Sequence, residues 1–184
     1  MSQQPVSKPG PWLMLLVAGV VWLLDQASKL YVVRNLALGE MWAPIPSLER
    51  FFTFTRTTNT GAAFGLFPNV GGLFVFIAIA VIIGIIAFYS HLPTEHRIVQ
   101  VALGLQLGGA LGNLTDRLTR GSVVDFLDFK FWPIFNVADC AIVVGVLILA
   151  FYLLREDFQP KPAPAAELPA EPPSLPRADA ERVE

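Results

Sequence analysis

A single cysteine, two histidines and few charges exclude several classes of function for this 184-residue chain at once. Cys140 has no partner for an internal disulfide and cannot by itself build a thiolate metal site. His91 and His96 fall together in the short polar stretch His91 to Arg97 and read as solvated loop residues, so neither a metal nor another cofactor is expected. Lys and Arg number 13 against 15 Asp and Glu, for a net charge of -2, and the basic residues are scattered. Nucleic-acid binding is therefore not expected, because it requires a basic patch or stripe. Charged residues make up only 15% of the chain and hydrophobic ones 54%, with a mean hydropathy of +0.55. Soluble domains carry roughly 25% charge, so lipid is the solvent this composition suits. Lys8 followed by the apolar run Trp12 to Leu24 has the outline of a signal peptide. No small-residue cleavage signal follows it; Asp25, Lys29 and Arg34 do, and the run reads as a retained first helix.

Spanning a hydrocarbon core of about 30 Å takes about 20 residues at 1.5 Å each. Four runs meet that length: Trp12 to Val33, Gly71 to Tyr89, Ile98 to Leu118 and Phe135 to Leu154. The expected fold is an all-α membrane protein of four transmembrane helices, residues 12–154, with both ends of the chain on one side. Between the first two runs, about residues 38–67, the alternation Phe52, Thr53, Phe54, Thr55, Arg56 predicts a small β element lying on the membrane face. The aromatic residues Phe51, Phe52, Phe54, Phe64 and Phe67 read as interfacial anchors or packing. Residues 1–11 form a short leading segment, and residues 155–184, rich in Pro, Ala and Glu, predict a disordered tail. Gly104, Gly108 and Gly112 recur every four residues in the third run, a spacing that lets helix backbones approach closely in lipid.

A charge at the centre of a membrane helix costs about 2.5 to 3.5 kcal/mol, so the polar residues of these spans need a reason. Asp25 and Lys29 lie near the end of the first helix, Asn59 in the first loop, and Asn113, Asp116 and Arg117 at the end of the third. Asp125 follows in a loop, and Asn136 and Asp139 share a face about one turn inside the fourth helix. Odd helices end where even helices begin, so all of these gather at one membrane face. Asp25 and Lys29 have the i, i+4 spacing of an ion pair. Asn113, Asp116 and Arg117 share a helix face, on which Arg117 could hold a carboxylate bidentately and shape the site with Asp116. Asp125 and Asp139 have no adjacent Lys or Arg in sequence. Two close, desolvated carboxylates cannot easily both ionise, and a pair holding one proton supplies both an acid and a base near neutral pH. Such a pair could hydrolyse an amide without a metal or a nucleophilic side chain; two membrane-edge aspartates fit a proton or cation pathway equally well. Gln106 is the one polar residue deep in the third run that a pathway could use. A binding surface for another membrane protein is a third reading. Cys140, beside Asp139 on an apolar helix, reads as a small hydrophobe.

Five segments in order carry a resemblance: Asp25 to Lys29, Thr58 to Phe64, Gly108 to Arg117, Val123 to Phe126, and Phe135 to Asp139. The chain resembles the bacterial lipoprotein signal peptidases, also called signal peptidase II. The resemblance implies an aspartic endopeptidase of the bacterial inner membrane. It would cut signal peptides from prolipoproteins just before a cysteine carrying a diacylglyceryl group, and globomycin would be an inhibitor. It implies a catalytic pair at Asp125 and Asp139, with Asn59, Gly61, Asn113, Arg117, Asn136 and Ala138 lining the substrate site or holding the pair. Asp25, Lys29 and Asp116 are left as structural polar residues, and the Pro/Ala/Glu tail is not part of the family pattern. Cytoplasmic ends and a periplasmic active site are also implied. That places Arg34, Arg50, Arg56, Arg117, Arg120 and Lys130 outside, against the positive-inside tendency; several of these lie in the site and report topology poorly.

Overall fold

The computed structural model describes residues 10–60 and 71–157. Gly61, Phe64, Phe67, the first nine residues and the tail from 158 lie outside them. Four long helices dominate: α1 (Trp12–Asn35), α2 (Gly71–Phe88), α3 (Arg97–Arg120) and α4 (Val137–Asp157). All four are long and apolar enough to cross a bilayer, and the protein is a multi-pass membrane protein. α4 runs to Asp157, three residues past the expected end of the membrane region at Leu154.

The helices differ in what they face. Along its most apolar window α3 is 61% buried, whereas α2, with the highest hydropathy of the four, is 6% buried. The least greasy span is therefore the hub against which α1, α2 and α4 pack, and the greasiest faces lipid. That inversion is expected where lipid is as apolar as leucine and contact between helices depends on close packing. The glycine ladder supplies the closeness. A Cβ on Gly104 would stand 2.7 Å from the Met14 carbonyl oxygen, and one on Gly108 2.6 Å from that of Ala18, so α1 and α3 touch backbone to side. Gly109 meets Ala138 of α4 in the same way, and Gly112 stands against the carboxylate of Asp25. α4 returns the arrangement at Gly145, a position the sequence reading did not single out, where a Cβ would lie 2.6 Å from the Ala102 carbonyl oxygen.

The β element is a three-stranded antiparallel sheet in the order β1 (Met41–Trp42), β2 (Phe52–Asn59), β3 (Val123–Phe129). The first two strands lie where expected. The third corrects the reading of Asp125 as a loop residue: Asp125 is on β3, opposite Thr57. Gly121 makes the turn into that strand possible, closing α3 at φ +76 with its N–H on the Arg117 carbonyl, a conformation that favours glycine. Between Phe54 and Thr57 the register slips: two residues of β2 lie between pairs that are separated by only Phe126 on β3. Such a bulge bends a strand and re-aims its side chains. Here it carries Arg56, whose guanidinium donates to the carbonyls of Val33 (3.2 Å) and Leu36 (2.8 Å), tying the sheet to the end of α1. Val124 and Phe126 pack on Val32, Val33, Leu36 and Phe54, fixing the other face of β3. Phe54 stacks on Trp42 at a centroid distance of 5.5 Å and meets Phe52 edge-on at 5.1 Å. These two aromatics serve packing, while Phe51 is 63% exposed.

Candidate active site

Three elements converge on one polar centre at the sheet end of the bundle. β3 brings Asp125, α3 brings Asn113 and Asp116, and the start of α4 brings Asn136 and Asp139. Asn136 precedes α4 rather than lying inside it, which corrects the expected depth. Its side-chain oxygen accepts the N–H of Asp139 (3.0 Å), and Asp139 in return accepts the N–H of Asn136 (3.2 Å). This reciprocal N-cap to N3 exchange starts a helix and satisfies two otherwise orphaned donors. The next free donor, the N–H of Ala138, goes to Asp25 of α1 at 3.0 Å, and both residues are fully buried. Both carboxylates sit where the helix macrodipole favours negative charge.

Asn136 also serves the pair directly. Its amide nitrogen donates to Asp125 (2.6 Å) and to the side-chain oxygen of Asn113 (3.1 Å). Asp125 accepts a second bond from Asn59 of β2 (3.1 Å), and Asp139 accepts one from the amide nitrogen of Asn113 (2.8 Å). Asp125, Asp139, Asn59, Asn113 and Asn136 thus form one network. Asp125 is 2% exposed, and burial, reinforced by the Asp139 carboxylate, pushes its pKa up to about 6; the bonds from Asn59 and Asn136 pull the other way. Asp139 is only half-buried.

Behind this network lies an ionic cluster. The Lys29 ammonium reaches Asp25 (2.8 Å), Asp116 (3.1 Å) and the side-chain oxygen of Asn113 (3.0 Å), and Lys29, Asp25 and Asp116 have no exposure. The predicted i, i+4 pair is present, but it is one edge of a larger group. Asp116 finds its arginine in Arg120, one turn on, rather than in Arg117, and takes the N–H of Val124 at 3.1 Å, joining α3 to β3. Among the described residues Arg117 makes no bidentate contact with a carboxylate: it donates to the Asn113 carbonyl (3.3 Å) and lies 5.4 Å over the Phe74 ring. Gln26, whose amide nitrogen reaches Asp25, Asp116 and the Gly112 carbonyl, was overlooked. Its signals were its place beside Asp25 and its membership of the resembling segment Asp25 to Lys29. Arg120 was overlooked as a partner as well, although its spacing from Asp116 advertises the pair. Gln106 is not part of a polar track; it bonds back to its own helix at Ala102 (3.3 Å). Among the described residues no group of three or more His, Cys, Asp or Glu could hold a metal ion. His91 and His96 are exposed at the other end of the bundle.

The chain that carries this centre has matches among known proteins. The model of signal peptidase (SPase) II matches residues 17–155. The chain belongs to the signal peptidase II family. Lipoprotein signal peptidase from Moorella thermoacetica is 47% identical over 140 residues, 76% of this chain and 91% of that protein. That from Serratia marcescens is 43% identical over 147 residues, 77% and 84% respectively. A bacterial membrane enzyme solved by the in meso method at 2.3 Å resolution superposes with a TM-score of 0.74 at 32% identity, covering 81% of this chain and 92% of that one. The four-helix fold with its small sheet and peptidase chemistry are thus properties this signal peptidase II family member shares with its relatives, and the matched stretch contains every described residue of the polar centre.

Proposed function

We propose that this protein is an aspartic endopeptidase that removes the signal peptide of diacylglyceryl-modified prolipoproteins, cutting before the lipidated cysteine. The observation that supports the mechanism is at Asn136, whose side-chain amide donates to the Asp125 carboxyl while its backbone N–H donates to that of Asp139, so that one residue holds both carboxyl groups. In the reaction, the ionised carboxylate takes a proton from water as its oxygen bonds to the scissile carbonyl carbon. The protonated partner donates a hydrogen bond to the carbonyl oxygen and then gives its proton to the amine as the C–N bond breaks. No cofactor enters. Asn59, Gly61, Asn113, Arg117 and Ala138 would line the substrate site or hold the pair. A substrate whose signal helix and acyl chains lie in lipid can present its peptide bond only at the membrane edge, where this site sits. By the same reading the protein resides in the bacterial inner membrane with cytoplasmic ends and a periplasmic site, and a globomycin-type inhibitor would compete with substrate.

The test is cleavage of a diacylglyceryl prolipoprotein by purified protein in lipid. Asp125→Asn and Asp139→Asn, each verified folded, are expected to lower the rate by at least about a hundredfold. Retained activity in either variant contradicts the pair mechanism.

A further inference from the structure

An ammonium has three hydrogens and accepts nothing. Lys29 uses one on Asp25, one on Asp116 and one on the side-chain oxygen of Asn113. The third contact has a consequence for the reaction. With Lys29 and the amide nitrogen of Asn136 both donating to its oxygen, Asn113 must turn its own amide nitrogen away from them, and it lands on Asp139 at 2.8 Å. The amide cannot be reversed without setting its donors against the ammonium. Asp139, in the first turn of α4, is thereby supplied at one oxygen by Asn113 and at the other by the N–H of Asn136. Among the described residues Asp125 receives neutral side-chain amides, on a strand, with no helix end to favour its charge, and the Lys29 ammonium favours that charge only through space and less than those two bonds do.

We propose that Lys29 is a positioning residue for peptide hydrolysis: acting through Asn113, it makes Asp139 the member of the pair that stays ionised and takes the proton from water. Asp125 is then the member that carries the proton and delivers it to the leaving amine. This inference rests on the aspartate-pair reading above. The charged and titratable groups around the pair, among the described residues, are Asp25 and Lys29 from α1, Asp116, Arg117 and Arg120 from α3, and Cys140 from α4. Lys29 and Arg120 balance Asp25 and Asp116, so taking away the ammonium alone would leave an uncompensated buried charge.

The charge-balanced double variant Asp25→Asn with Lys29→Met removes the ammonium and keeps an oxygen at position 25 for the Ala138 N–H. Wild type and variant are compared in lipid for the pH dependence of kcat on a diacylglyceryl prolipoprotein. The expected result is an acid limb displaced upward by about one pH unit, a kcat lowered about tenfold or more, and KM within about twofold of wild type. A merely structural lysine would scale activity at every pH and leave the limb in place, and that result overturns the proposal. Asn113→Ala provides the second measurement whether or not the double variant folds: it must move the limb in the same direction, and an unmoved limb also overturns the proposal. Where both variants fold, the Lys29 change must add no further displacement in the Asn113→Ala background. Wild type inert on the substrate would instead sink the peptidase reading itself, an outcome distinct from an active wild type with unshifted variants.

Discussion

At the scale of the residue, Asp125 carries the strongest physical signature. Its pKa is raised to about 6 by burial and by Asp139. A carboxyl whose folded pKa exceeds its unfolded value binds its proton more tightly in the native state, so its stabilising contribution is present at low pH and lost as pH rises through the folded value. Replacing it with Asn removes that dependence. The stability difference between Asp125→Asn and wild type is expected to move in the variant's favour by up to about 3 kcal/mol between about pH 4 and about pH 7. Melting of both proteins across that range in one detergent checks it; a difference that does not vary with pH contradicts the assignment. Residue identity and order gathered Asp125, Asp139 and the asparagines at one membrane face, and the structure brings them into hydrogen-bond contact. What the sequence could not convey was partnership. Arg117 neighbours Asp116 in sequence but lies off its face of α3, and the ion pair goes to Arg120, one turn on. Asn136 looked like a helix residue and proves to be the cap, because whether the first turn closes on its side chain depends on Asp139 reaching back.

At the scale of the element, the four helices were legible because a bilayer imposes a length that few other features imitate. β3 was not. Val123 to Asp128 is buried at five of its six residues, so no in–out alternation marks it as a strand, and its pairing partner β2 is some seventy residues away in sequence. Helix contacts give the clearest prediction. Gly108→Ala places a methyl against the Ala18 carbonyl and Val21, and α1 must move away from α3; a loss of about 1 to 3 kcal/mol is expected. Gly84→Ala, on the lipid side of α2 with nothing within 4 Å, should leave stability unchanged or slightly higher. Thermal unfolding of the two variants beside wild type separates them, and equal effects would mean that the ladder does not carry the α1–α3 contact.

At the scale of the whole molecule, the polar centre and the sheet occupy one end of the bundle and the polar turn at His91 to Arg97 the other. With Cys140 replaced by Ser, single cysteines at exposed Arg50 and at exposed His91 report on the two ends separately. In intact spheroplasts a membrane-impermeant maleimide is expected to label Arg50→Cys directly and His91→Cys only after permeabilisation. The reverse pattern would invert the topology, and labelling of both from outside would mean that the helices do not span.

The cap at Asn136 also sets a time order. Asp139 becomes part of the site only when α4 starts, and the N–H of Ala138 finds Asp25 only when that helix lies against α1. On the pair mechanism proposed above, a chain still lacking its last helix holds Asp125 without its counterpart. Proteolytic competence would then arrive with α4, and the protein would be inert for as long as it is unfinished.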